Sequence, residues 1–423
     1  MKYLLSLKLI AIVCVLSCSK PERIVPGEPV KVIIWEFGGL PGMQAWTKQA
    51  VGGFNASRDD IEIELEQRDW ATQRESLIST TILGDGPDIV RVHHKYSVEF
   101  GQLGGLYPLD SFADFPKVKD LILDNVWEQV SYDGRYYGVP VTMAPFILAV
   151  NTSILSENGL EVPETWEDFE ELGNFLAKKG IHVFTMPGGV NLDTAYRFLP
   201  LLMKAGGRVF DRNWTRATFN GSAGVAALEF LVNLKKSGFM PAASAAYRFD
   251  ENAAHWSSGK AALSIEGPWW QNATSGNYGF DLSNLALAPV PRPSKKIGDS
   301  PSATLLDVFM MSITGYTPVP EYAWEVMKTL YVEDPVWRAP NPDLGGIPTQ
   351  KAAYENGIES DYIGLDVMAE EGENAVGWPG HPSITEIQRH IADAVNIALV
   401  GTMTPKEALD QAAESVNEIL GDY

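Results

Sequence analysis

Between Val30 and Val90 the hydrophobic period of the chain changes from strand to helix and back, twice over. Val30 to Trp35 (VKVIIW) is an almost unbroken apolar run interrupted only by Lys31, the pattern of a strand covered on both faces. Ile61, Ile63 and Leu65 alternate with Glu62 and Glu64, a half-exposed strand, and Asp88-Ile89-Val90 opens another buried one. Residues 44–54 and 73–83 carry helical spacing between them. Strand, helix, strand, helix, strand predicts a doubly wound α/β layer, because each parallel pairing needs a return crossing.

A second set of the same kind follows Asn151. Thr165 with Asp168 reads as an N-cap pair, Phe169, Leu172 and Leu176 share one face, and Gly180 can close the helix. Residues 222–236 repeat the stripe with Val225, Leu228 and Leu231 before Gly238. Two helices end the chain. Ile384, Ile387, Ile391 and Val395 mark the first, and Thr404, Pro405 and Glu407 cap the second ahead of Leu409, Ala413 and Val416. At 423 residues the chain exceeds what one core organises, so two domains are expected. No repeat of roughly 20 to 50 residues is visible.

The N-terminus is of a different kind. Leu4 to Leu16 is apolar apart from Ser6 and Lys8, too short for the about 20 residues of a membrane helix, so residues 1–17 read as a signal peptide. Val15-Leu16-Ser17-Cys18 resembles a bacterial lipobox, which makes Cys18 the lipidated first residue of the mature protein. Cys14 then leaves with the leader and no intramolecular disulfide is possible. Pro21, Pro26, Gly27 and Pro29 mark residues 18–29 as a tether.

Charge and motifs narrow the function. Fifty-four acidic against 33 basic residues give −21, or −23 once Lys2 and Lys8 leave with the leader (31 − 54). Such a chain repels phosphate backbones, so no nucleic-acid partner is expected. It carries no HExxH, no GxSxG elbow, no phosphate loop and no dinucleotide fingerprint. Adjacent His93 and His94 would point to opposite faces of a strand, so no metal is assigned to them. A carboxylate pair suited to glycoside cleavage is not readable from spacing alone.

Five blocks occur together and in order. They are Gly86-Pro87-Asp88-Ile89 with Gly104-Gly105-Leu106-Tyr107-Pro108-Leu109; Asp133-Gly134-Arg135-Tyr136-Tyr137-Gly138-Val139-Pro140 with Pro163-Glu164-Thr165-Trp166; Ser258-Gly259-Lys260-Ala261-Ala262-Leu263 running to Glu266-Gly267-Pro268-Trp269-Trp270; Gly345-Gly346-Ile347-Pro348-Thr349; and the closing segment 401–420. In this the chain resembles the extracellular solute-binding proteins of ABC importers, in the branch typified by the maltose-binding protein. The resemblance implies a type II periplasmic-binding-protein-like α/β fold of two doubly wound lobes joined by a multi-strand hinge, with the ligand cleft between them. It places residues 30–143 and 305–344 in the N-terminal lobe and 144–304 and 345–423 in the C-terminal lobe, with crossings near 142–146, 304–310 and 345–349.

The resemblance further implies a lipid-anchored, exported receptor, monomeric and without cofactor, that captures a mono- or oligosaccharide by hinge closure and passes it to membrane permease subunits. A same-fold receptor for a glycerophosphodiester, polyol or peptide, or an exported carbohydrate-active enzyme, stays open beside it. Micromolar capture needs about 8 kcal/mol, which several hydrogen bonds and two or three ring stacks at about 1 kcal/mol each supply.

Position by position, Trp269 matches the stacking tryptophan of the family and Trp270 a core neighbour. Phe37 and the loop containing Gly39 follow the first strand, where backbone approaches ligand. His93 and His94 fall where the branch carries sugar contacts, with Val92 and Lys95 replacing an aromatic and an acid, and Ala144 stands near a missing glutamate. Thr142 lies in the first crossing, Asp193 and Tyr196 align with a second-lobe aromatic contact, and Trp378 sits on a turn-rich loop. Trp70 and Asp307 complete the candidate set.

Overall fold

The computed structural model describes residues 24–38, 41–355 and 362–421; the expected leader, Cys18 and Gly39 lie outside them. The first strands appear where periodicity put them: β1 (Val30–Phe37), β2 (Ile61–Arg68) and β3 (Ile89–His93). Helices Pro41–Ser57 and Gln73–Leu83 join them, the second closed by Gly84 in the left-handed region at φ 60°. β1 pairs in parallel with β2 and with β3.

A short hairpin, β4 (Ser131–Tyr132) and β5 (Arg135–Tyr136), precedes two long adjacent strands, β6 (Val139–Pro145) and β7 (Ile147–Asn151). These two belong to different sheets. Then come β8 (His182–Phe184), β9 (Ala261–Glu266), β10 (Leu285–Ala288), β11 (Leu305–Ile313), β12 (Ile347–Pro348) and β13 (Val376–Gly377). The larger sheet runs β12-β6-β11-β3-β1-β2 with β13 on β11; the smaller runs β10-β7-β9-β8. Each is covered by helices, which buries both faces of the central strands and explains their unbroken apolar runs.

The second sheet carries the predicted helices. Thr165 and Asp168 form a reciprocal capping box on Trp166–Leu176, and Ser222–Lys236, Ile384–Val400 and Pro405–Gly421 bury the faces their stripes define. Leu172, Leu199, Leu228, Ile391 and Leu409 share one core there.

The chain crosses between sheets at Phe146, the single residue between β6 and β7. Its N–H donates to the Leu305 carbonyl at 2.9 Å, and its own carbonyl accepts from Thr304 Oγ1 at 2.7 Å, so the first two crossings are stitched side by side. Near the third expected crossing β12 pairs with β6, and Tyr362, Leu365 and Met368 lie in a core that Val32 and Val308 share with Trp256 and Leu287. Helix Leu365–Glu373 packs on β6, and β13 on β11. Helix Leu365–Glu373 also touches β10 of the smaller sheet, and from Trp378 onward the chain packs with Leu172, Leu199 and Leu228. The Ile347-Pro348 dipeptide is too short to show its sheet by periodicity; only its pairing with Met143 and Thr142 decides it.

A candidate solute site between the lobes

In an α/β sheet the carboxyl ends of parallel strands are where ligands sit, since side chains and loops converge there without blocking the ladder. β1 leads into Gly38, β2 into Trp70, β3 ends at His93 ahead of His94 and Lys95, and in the second lobe β9 leads into Trp269. Gly38 adopts φ 63°, and a Cβ there would lie 3.1 Å from the Trp70 ring, so the position suits only glycine. Asp69 caps the short turn Trp70–Thr72, accepting from Ala71 N–H at 2.8 Å, and leaves the Trp70 indole 39% exposed. A Cβ on Gly267 would run into the Trp269 ring, so that indole folds back over its own backbone.

Rings connect these points. Trp70 lies 5.6 Å from Phe309 and 6.2 Å from His93, and His93 lies 6.4 Å from Tyr196. Tyr196 stacks on Phe146 at 5.5 Å and 16°, and Phe146 meets Trp269 edge-on at 5.5 Å and 77°. The series therefore runs from Trp70 in the first lobe to Trp269 in the second, with both terminal indoles partly exposed. Phe309 and Phe146 were absent from the sequence-derived set. Phe309 is hidden in the run LLDVFMMSI, where no alternation separates one face from the other, and it reaches the site because β11 pairs it with His93.

The polar groups meet at the same place. The Tyr196 hydroxyl is 3.3 Å from His93 Nε2, and Lys95 Nζ donates to that hydroxyl at 3.3 Å and to Gln388 Oε1 at 3.1 Å. Asp307 Oδ1 stands 3.2 Å from His93 Nε2. Burial pushes the Asp307 carboxyl up to about 6 against the pull of His94, Lys95 and Arg197. Burial, followed by Lys95 and Arg91, holds His93 well below its ordinary value, and burial and His93 bring His94 down to about 3. Both imidazoles are therefore neutral at pH 7.

His93, His94 and Asp307 have ligand atoms within 4.8 Å of one another, the spacing of a metal site. Their hydrogen bonds oppose that role. Lys95 N–H donates to Nδ1 of His93 at 3.3 Å, and Val308 N–H donates to Nδ1 of His94 at 3.0 Å, nearer than the Val308 carbonyl at 3.2 Å. The backbone thus engages Nδ1 of both rings, and Nε2 of His93 already faces the Tyr196 hydroxyl at 3.3 Å. The Lys95 ammonium beside them opposes a second cation.

Behind Tyr196 and Trp269 lies a buried network that sequence reasoning missed. Arg197 pairs with Glu266, and its Nε donates to the Ile265 carbonyl at 3.2 Å. Asn252 Nδ2 and Ser264 Oγ donate to Glu266 Oε1 at 2.9 and 3.0 Å, and Thr185 Oγ1 donates to Asn252 at 2.8 Å. Burial still pushes Glu266 up to about 7. Arg197 follows Tyr196 on helix Asp193–Lys204, where every residue from Thr194 to Met203 is buried, and a single arginine in that run does not announce its own burial.

The remaining candidates fall elsewhere. Phe37 is wholly buried and packs edge-on against Trp35 at 6.2 Å, which makes it a core residue rather than a cleft contact. Trp378 follows β13 on its turn-rich loop and is 2% exposed, packed against Tyr196 at 5.3 Å. Thr142 is buried in β6, where it pairs with Phe309, and Asp193 is half-buried in the first turn of helix Asp193–Lys204. A cavity of about 830 Å³ also separates the lobes, walled by His94, Gln129, Phe210, Trp214 and Trp378; Trp70, Tyr196 and Trp269 are not among its walls.

Known proteins resemble this chain in sequence and fold. The chain is 24% identical to the maltodextrin-binding protein MdxE of Bacillus subtilis over 85% of this chain and 84% of that one. It is 23% identical to the galactooligosaccharide-binding protein of the same organism over 87% and 85%. Among solved structures, the GacH receptor of Streptomyces glaucescens superposes with a TM-score of 0.80 at 21% identity, covering 93% of this chain and 99% of that one. The ABC transporter solute-binding protein of Thermotoga lettingae bound with alpha-D-tagatose does so with 0.77 at 24% identity, covering 92% and 99%. These superpositions show the type II two-lobed fold. Residues 38–335 match the family model of the bacterial extracellular solute-binding proteins, and the chain belongs to that family.

Proposed function

We propose that this protein is the receptor of an ABC importer and that it captures a mono- or short oligosaccharide between its lobes, then releases it unaltered to membrane permease subunits. The ring series from Trp70 to Trp269 carries this reading. Sugar C–H faces stack on indoles, and sugar hydroxyls need paired donors and acceptors, which Lys95, His93, Asp307 and Gln388 offer beside the rings. The names of MdxE and the galactooligosaccharide-binding protein support a carbohydrate as the solute. In this reading the hinge closes because only the closed form lets both lobes touch the solute. In this reading the lobes divide at Phe146 and Thr304, where the chain passes between the two sheets.

Cys18 is the proposed lipid anchor, and the receptor is proposed to act as a monomer facing the periplasm or the cell exterior. A match to an uncharacterised lipoprotein of Streptomyces antibioticus, 24% identical over half of this chain and 47% of that one, supports the anchor. Thermal shift and calorimetry against maltose, maltotriose, galactobiose, tagatose, polyols and peptides test the reading. A sugar is expected to raise the melting temperature and to be recovered intact. Cleaved sugar, or a shift with peptides alone, overturns it.

A further inference from the structure

Phe146 holds two kinds of contact at once. Its main chain binds Leu305 and Thr304 where two crossings lie side by side, and its ring touches Tyr196 on one side and Trp269 on the other. Arg197, locked to Glu266, places its guanidinium carbon 5.7 Å from the centroid of the same ring. The side chain is 1% exposed. It is thus walled in by the crossing and by two of the rings assigned to the solute, without opening to the cleft itself.

We infer that Phe146 is a positioning residue for the solute site, which orients Tyr196 and Trp269 as one unit and fixes that unit to the hinge. The inference rests on the proposed solute site. Its physical basis is packing. A stacked ring at 16° and an edge-on ring at 77° leave Tyr196 and Trp269 few alternative rotamers, because either rotation would open a void against Phe146. Since the Phe146 main chain is bound to Leu305 and Thr304 of the neighbouring crossing, movement at the hinge carries the pair with it. An aliphatic side chain of similar volume keeps the burial and loses the ring contacts.

The test compares Phe146→Leu and Phe146→Met, which lack the ring, with Phe146→Tyr, which keeps it. The first readout needs no solute. In protein labelled with 5-fluorotryptophan, the Trp269 resonance, assigned by Trp269→Phe, is expected to shift or broaden in the Leu and Met variants and to stay near its wild-type place in the Tyr variant. The second is calorimetry with whichever of maltose, maltotriose, galactobiose or tagatose binds the wild type. The Leu and Met variants are expected to bind about tenfold more weakly, roughly the 1.4 kcal/mol of one or two ring contacts, and the Tyr variant within about threefold of wild type. An unmoved Trp269 resonance in both ring-free variants overturns the inference, as does equal loss of affinity in all three. If none of these sugars binds the wild type, the carbohydrate reading fails while the fluorine resonance still decides the role of Phe146.

Discussion

The hydroxyl of Tyr196 lies 3.3 Å from Nε2 of His93, although 103 residues separate them and each is anchored in a different lobe. Lys95 reaches the same hydroxyl, and Gln388 beyond it. These bonds join the lobes by side chains, as does Asn272, which donates to the Pro342 carbonyl at 3.0 Å, so they bear on how readily the cleft closes. Tyr196→Phe removes the shared oxygen and leaves the buried Lys95 ammonium with Gln388 alone. About 1 to 2 kcal/mol of contact is lost, and solute affinity by calorimetry should fall about tenfold. Unchanged affinity would remove this contact from the closing step.

Trp269 is the second-lobe end of the ring series. Trp269→Ala deletes a partly exposed indole, so the fold should survive while solute binding drops by at least about tenfold. Circular dichroism and thermal shift with and without sugar separate the two effects. A variant that melts early yet binds normally assigns the indole to the core.

Arg197 and Glu266 form a pair with almost no solvent contact. Arg197→Met leaves the Glu266 carboxylate buried with only Asn252 and Ser264 as donors, and breaking such a pair from one side costs about 3 to 5 kcal/mol. Urea denaturation should show the loss. The double variant Arg197→Met with Glu266→Leu should recover a large part of it, because no charge is then stranded.

Glu266 also predicts a pH dependence. Its folded pKa is raised from 4.5 to about 7, so its protonated form is favoured by folding. That contribution is fully present below about pH 4.5 and is lost as pH rises through 7. Wild type should therefore lose stability relative to Glu266→Gln as pH rises across this range. His94 acts in the opposite sense. Its pKa falls from 6.5 to about 3, so its contribution is present above pH 6.5 and is lost as pH falls through 3. Melting temperatures between pH 4 and 8 for wild type, Glu266→Gln and His94→Gln check both signs.

Cys18→Ser should move the protein from the membrane fraction to the soluble fraction when cells are fractionated, with sugar binding unaltered. Retention on the membrane would dismiss the lipid anchor.

Much of the molecule could be read before its structure. The strands from Val30, Ile61 and Ile89 and the helices at residues 73–83, 222–236 and 384–400 follow from local periodicity, since the burial of each side chain depends on its face of its own element. The capping box at Thr165 and Asp168 is equally local. Trp70, His93, Tyr196 and Trp269 were singled out by the family resemblance, and the structure brings them into one chain of rings.

What sequence alone determined is the alternation of elements, because period and capping are properties of neighbouring residues. Which strand joins which sheet, why Phe37 is core, and how Phe146, Arg197 and Phe309 come to lie beside the candidate site were decided only by tertiary structure. Those outcomes depend on pairings such as Phe309 with His93 and Ile347 with Met143, between residues more than 200 positions apart. No local pattern records such a pairing, because the free energy that selects it comes from burying surfaces that meet only when the chain has folded.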